Sequence, residues 1–218
     1  MKEVVGFHID SDELVGEGGF LKLRRMRMRN RHPDGSLSEQ YCCDTVARPY
    51  GQDAVVVAVF SRSAAGIQVL LRDGLRPGIT RARDVAAAPI TEEPPGLFVT
   101  ELVAGIIEAG DRGEAGLRMR AVHETLEEAG FAVEPDKVFM LGAGMLPSPG
   151  AMVEKLYFMA VEVDPATQQP LAGDGSPMEE GATTRWRGLE DTIAACVRGE
   201  ITDLKTEAAL RRLRDALS

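Results

Sequence analysis

Cysteine, aromatic residues and long apolar runs are all scarce in this chain. Three cysteines occur in 218 residues, the adjacent Cys42 and Cys43 and the lone Cys196, and that spacing suits neither a zinc knuckle nor a disulfide framework. Ordinary thiols are expected. Aromatic residues make up 5% of the chain, and the single Trp186 reads as core or rim rather than as a base-stacking platform. No run of 18 apolar residues occurs, so no membrane span is expected. The opening MKEVVGFHIDSDELVGEGG has acidic residues and glycines where a secretory signal needs an unbroken apolar stretch. A cytoplasmic location is therefore expected. Positive charge is in deficit: 25 Lys and Arg against 34 Asp and Glu give a net −9, which disfavours a sequence-independent grip on nucleic acid. An acidic protein still binds phosphates when metal ions neutralise both sides.

A chain of this length accommodates one core domain with an extra element. From Phe20 to Arg31 apolar and basic residues partly alternate, and the segment closes at Pro33-Asp34-Gly35. That pattern predicts a strand running into a hairpin turn, with His32 as a turn residue and the basic stripe as its solvated side. Further strands are expected at Glu39 to Ala47, Ala54 to Phe60 and Ile67 to Arg72. The second of these, AVVVAVF, is apolar enough to be central and buried on both faces. Asp73 to Pro95 collects prolines and glycines and reads as a loop or insertion. After LFVTELVAGII a helix is expected from about Glu114 to Ala129, stopped by Gly130, then strands at Val138 to Gly142 and Lys155 to Val163. Asp164 to Thr183 reads as a loop, Thr184 to Arg187 as a short strand and Asp203 to Ala216 as a final helix. This order predicts an α/β sandwich of mixed sheets. Residues 1–50 are too few and too polar for a core of their own, which makes them an N-terminal β extension to a main domain at 51–218.

Inside the expected helix, His123 to Phe131 reads HETLEEAGF. Glu124, Glu127 and Glu128 stand at i, i+3 and i+4 and project from one face, while Leu117, Ala121, Val122, Thr125, Leu126 and Ala129 supply a largely apolar opposite side. Three like charges on one stripe repel, and locally only His123 and Arg120 compensate. A hard cation such as Mg²⁺, which takes carboxylate oxygens and keeps waters for a phosphate to displace, removes that cost. A plain solvated acidic face is the competing explanation of the triplet taken alone.

The surroundings favour the metal. The passage GIIEAGDRGEAGLRMRAVHETLEEAGF resembles the Nudix hydrolase signature, G-x5-E-x7-R-E-U-x-E-E-x-G-U with U apolar, and its close is matched by Glu124, Glu127, Glu128, Gly130 and Phe131. AVVVAVF, IQVLLR, ELVAG, the PSPG of Pro147 to Gly150, EKLYF and GEITDLKTEAAL look like the ADP-ribose pyrophosphatase branch, in that family's order from about Arg48 to Leu213. Three positions depart: His123 stands where the family has Arg, Thr125 replaces an apolar residue, and the stretch from Gly105 to Glu124 is four residues longer. The first acidic residue of the motif is thus open among Glu108, Asp111 and Glu114.

The resemblance implies a Nudix fold, an α/β/α sandwich, and Mg²⁺- or Mn²⁺-dependent hydrolysis of ADP-ribose or a related nucleoside diphosphate sugar. It implies Glu124 and Glu128 as metal ligands, Glu127 as a further ligand or water orienter, and the Ala104 carbonyl as another oxygen. A general base is implied on the loop Met178-Glu179-Glu180-Gly181, with Glu180 preferred to Glu179 and Glu154 as a lesser candidate. Arg48, Arg72 and Arg76 occupy the places of substrate arginines, of which Arg76 is favoured, and Glu101 is placed to meet a ribose or amino group. The branch also implies a homodimer through the N-terminal strands. The departures keep a second reading open, a Nudix-fold module that binds a nucleotide sugar without cleaving it.

Overall fold

The computed structural model describes residues 6–15, 21–48, 52–173 and 175–218. It divides into two compact units, residues 1–53 with 146–155, and residues 54–145 with 156–218. The first unit is a three-stranded antiparallel sheet of β1 (Gly6–Val15), β2 (Lys22–Arg31) and β3 (Tyr41–Ala47), in that spatial order. The strand expected from Phe20 starts at Lys22; Phe20 itself lies outside the described residues. His32 opens the β2–β3 turn, its carbonyl accepting from the Gly35 N–H at 3.0 Å. β1 is a strand that polar, acidic GFHIDSDELV did not advertise. It has β2 as its neighbour and shows no apolar alternation.

The second unit is an α/β/α sandwich around a mixed sheet. Its strands are β4 (Ala54–Ser63), β5 (Gly66–Leu75), β6 (Phe98–Glu101), β7 (Val103–Ile106), β8 (Phe139–Met140), β9 (Leu156–Glu162) and β10 (Thr183–Gly188). The main path runs β10-β5-β4-β9-β8, with β6 on β5 and β7 on β4. β4 pairs parallel with β9 and antiparallel with β5 and β7. As its composition predicts, β4 is buried on both faces from Ala54 to Ser61. Because strand side chains alternate, Val55, Val57 and Val59 enter one core with Ala121, Ala129 and Phe131, whereas Val56, Ala58 and Phe60 enter the other with Ile193, Leu210 and Leu213. Burying each such valine or leucine stabilises by roughly 1.5–3 kcal/mol. The sheet is thereby fixed between two helical layers.

Helix α1 (Pro77–Ala82) lies in the proline-rich stretch that reads as a loop. α2 (Gly113–Ala129) covers one face, and α3 (Leu189–Val197) with α4 (Leu204–Leu217) covers the other. α2 ends as expected: Gly130 takes φ 76°, its N–H returns to the Leu126 carbonyl at 3.1 Å, and the Phe131 N–H reaches the Thr125 carbonyl at 3.2 Å. α4 starts under Asp203, whose carboxylate accepts the Thr206 N–H. No described helix is long and apolar enough to cross a membrane, and Cys42, Cys43 and Cys196 are free thiols.

Candidate active site

Burial on the carboxylate helix counts against a plain solvated acidic face, the competing explanation of the triplet, and corrects part of the apolar side expected opposite it. Glu124 and Glu128 are buried, at 9% and 8% exposure, and Leu126 on the supposed inner side is 39% exposed. Thr125 fills its apolar position because its hydroxyl donates to the Ala121 carbonyl at 2.6 Å, which satisfies it inside the core. Glu124 lies so close to β7 that a Cβ on Gly105 would overlap its carboxylate. Glu128 accepts the Ala104 N–H at 3.1 Å. Two adjacent acidic groups, one turn apart, are thus pressed against one strand.

Their protonation shows the strain of that arrangement. Burial pushes the Glu124 carboxyl up to about 7, helped by the charges of Glu128 and Glu127 and opposed by Arg120. Burial likewise pushes Glu128 up to about 7, opposed by Arg72 and the Ala104 N–H and helped by Glu101 and Glu179. Such under-neutralised carboxylates have the donor chemistry a hard dication takes, although in these rotamers no three acidic, histidine or cysteine side chains converge on one point among the described residues. A pH dependence follows. The folded state holds these protons more tightly than the unfolded chain, so their stabilisation is complete below the ordinary carboxylate value of 4.5 and is lost as pH rises through about 7. Metal-free protein is expected to melt progressively lower from pH 5 to pH 8. Mn²⁺ at about 100-fold its dissociation constant should restore roughly 5–10 °C at pH 8. Thermal melts with chelator or Mn²⁺ check this; a flat metal-free profile would contradict it.

A cleft of about 320 Å³ opens over this helix, lined by Arg72, Glu127, Glu128, Glu179 and Glu180 and by residues 171–173, 175 and 176, a size suited to a small ligand. Glu179 and Glu180 differ in engagement. Glu179 closes the 3-10 turn Pro177–Glu179 and accepts from Arg72 Nη2 at 3.3 Å, whereas Glu180 is exposed at the rim. Arg72 is 3% exposed, its guanidinium 3.3 Å from Glu128 and 3.8 Å from Glu101. Glu101 is itself buried, with one oxygen 2.5 Å from Arg76 Nη2 and the other 2.6 Å from Lys205 Nζ. Both its oxygens therefore face cations. Lys205, on the first turn of α4, escaped sequence reasoning because nothing local in GEITDLKTEAAL marks it as reaching β6.

From within α2, Arg120 gathers acidic residues of the segment before the helix. Its Nε donates to Asp111 Oδ2 at 2.9 Å, Nη2 pairs with Glu108 at 2.9 Å, and Nη1 lies 3.7 Å from Glu124. Asp111 also accepts the Glu108 N–H, and its carboxyl is held below the usual range: burial opposes ionisation, but that backbone bond and Arg120 prevail. Glu114 instead pairs outward with Arg118, and His123 is exposed. Of the three residues open for the first acidic place, Asp111 and Glu108 join the site. The remaining expected residues, Arg48 and Glu154, form a 2.7 Å ion pair within the N-terminal unit, where Leu21, Val46, Gln52, Met152 and Val153 surround them.

Comparison with known proteins agrees with this architecture. No family model matches the chain. An ADP-ribose pyrophosphatase of Haemophilus influenzae is 28% identical over 177 residues, 79% of this chain and 72% of that protein. An ADP-ribose pyrophosphatase of Escherichia coli K12 is 31% identical over 156 residues, 71% of this chain and 63% of that protein. A solved structure described as an ADP compounds hydrolase superposes with a TM-score of 0.68 over the whole chain and 97% of its own, at 15% identity. That last likeness is one of fold.

Proposed function

Given that the chain belongs to the Nudix hydrolase family, on its ADP-ribose pyrophosphatase side, we propose that it hydrolyses the diphosphate bridge of ADP-ribose or a related nucleoside diphosphate sugar. The products would be a nucleoside monophosphate and a sugar phosphate. The observation that carries the reading is the pair of buried, under-neutralised carboxylates, Glu124 and Glu128, set beside a cleft whose rim holds Glu127 and Glu180.

Glu124 and Glu128 would hold Mg²⁺ or Mn²⁺, with Glu127 as a further ligand or water orienter and the Ala104 carbonyl as an added oxygen. When bound, such an ion lowers the pKa of the attacking water and neutralises phosphate oxygens. Glu180 suits the general base better than Glu179, because it is exposed at the cleft whereas Glu179 is tied to Arg72. Arg76 is the arginine for the substrate's phosphate: Glu101 fixes one amino group and leaves the side chain 37% exposed. Lys205 in turn fixes Glu101, which gives Glu101 a positioning role in place of the ribose contact its sequence context suggests. A cytoplasmic homodimer formed through the N-terminal sheet belongs to the same proposal, its dimer supported by the exposed Leu23 and Tyr41 on that sheet and Leu37 in the β2–β3 connection.

A panel of nucleoside diphosphate sugars followed by phosphorus NMR tests the activity. Mg²⁺-dependent conversion of ADP-ribose to AMP and a sugar phosphate is expected. Tight binding by calorimetry without product after prolonged incubation would establish the binding module in its place.

A further inference from the structure

Arg72 is an unusual neighbour for a metal centre. Its guanidinium is almost wholly buried and points into the carboxylates of the cleft, with Nη1 3.3 Å from Glu128 and Nη2 3.3 Å from Glu179. Charge-assisted hydrogen bonds normally close to about 2.7–2.9 Å, so Arg72 faces both carboxylates at a longer, ionic range. Arg72 Nε has no acceptor although it is fully buried. A tight structural ion pair would satisfy that donor, because a buried charge left short of partners is costly. Glu101, the third neighbour, already holds Arg76 and Lys205 at shorter range.

The backbone is shaped for this placement. Gly74 lies two residues after Arg72 on β5, hence on the same face. A Cβ there would sit 2.7 Å from Arg72 Nη1 and 2.5 Å from Glu101 Oε1. Any other residue at 74 would require the tip of the Arg72 guanidinium or the Glu101 carboxylate to shift.

Resting on the pyrophosphohydrolase reading above, we propose that Arg72 is a resident cation of the centre, its guanidinium taking the place between Glu128 and Glu179 that a further divalent ion would otherwise fill. The site then reaches its working charge with one ion fewer than its carboxylates could hold. Since a guanidinium carries one positive charge and a divalent ion two, removing it opens room and demand together.

Mn²⁺ titration of the full chain, with bound ions counted by calorimetry and by the spin resonance of free Mn²⁺, tests this. Arg72→Gln is expected to bind one more Mn²⁺ per chain than the wild type, and Arg72→Lys, which keeps the charge, to retain the wild-type number. A second measurement needs no folded neutral variant. In wild-type protein labelled with ¹⁵N-arginine, the Arg72 Nε–H should remain in slow exchange with water after saturation with Mg²⁺. Unchanged stoichiometry in Arg72→Gln, an extra ion in Arg72→Lys, or exposure of the Nε–H by Mg²⁺ would overturn the inference and leave the hydrolase reading intact. A wild type and variants that all fail to bind Mn²⁺ would remove the metal centre itself.

Discussion

Replacing Glu128 with Gln is expected to lower kcat for ADP-ribose by on the order of 10²–10³ while raising the melting temperature of the metal-free protein at pH 8. The two effects share one cause. Glu128 is buried, accepts the Ala104 N–H and faces the like charges of Glu101 and Glu179. Its carboxyl is pushed up to about 7 although Arg72 opposes the rise, so at pH 8 the fold carries an ionised group that it disfavours relative to the unfolded chain. Glutamine keeps the acceptor for Ala104 and the side-chain volume, and it removes the charge that a divalent ion would use. Stability exchanged against activity in this way is common at functional sites. Steady-state kinetics and melts with and without Mn²⁺ measure both halves. Wild-type turnover in Glu128→Gln would sink the assignment of Glu128 as a ligand, and a lower metal-free melting point would show that its pairing with Arg72 outweighs its burial.

The parts of this site that sequence reveals are those whose signals are local. AVVVAVF announces a strand buried on both faces, and Glu124, Glu127 and Glu128 share a helical face by spacing alone; the structure bears out both. Local signals fail where partners come from afar. Arg72 on β5, Glu101 on β6, Glu128 on α2 and Glu179 before β10 meet only once the sheet has formed, and Lys205 joins them from α4. The burial of Glu124 and Glu128 was equally hidden, because a glutamate triplet reads the same whether it faces water or β7. α3 (Leu189–Val197) escaped as well. It is nine residues long and follows β10 directly, without a polar loop to mark its start. β5 overran the expected loop boundary because Asp73, Gly74 and Leu75 pair with Thr100, Val99 and Phe98, a non-local contact that outweighs the weak strand propensity of Asp and Gly.

Arg120→Gln is expected to weaken Mn²⁺ binding by about 10–100-fold and to reduce kcat/KM by a similar factor, whereas His123→Gln should change either by less than about threefold. In the motif that the chain resembles, His123 holds the arginine's place, yet it is exposed and the ion pairs belong to Arg120. Helical geometry puts Arg120 within reach of the site. Counting six residues from Gly105 reaches Asp111, an Asp at the spacing of the motif's first Glu, and in that register the four extra residues fall after it. Arg120 stands four residues before Glu124, close to one helical turn of 3.6, so the two lie on the same side of α2. From there its planar fork spans Asp111 and Glu108 and still reaches Glu124. The loop that carries Asp111 is held from a second side, since a Cβ on Gly116 would overlap the Asp111 backbone. Arg120 thus ties that loop to a proposed metal ligand and, as a guanidinium, stays charged throughout the working pH range. Arg120→Lys should recover part of the loss, because a point charge satisfies one carboxylate but not the fork. Equal losses in His123→Gln and Arg120→Gln would return the role to the histidine.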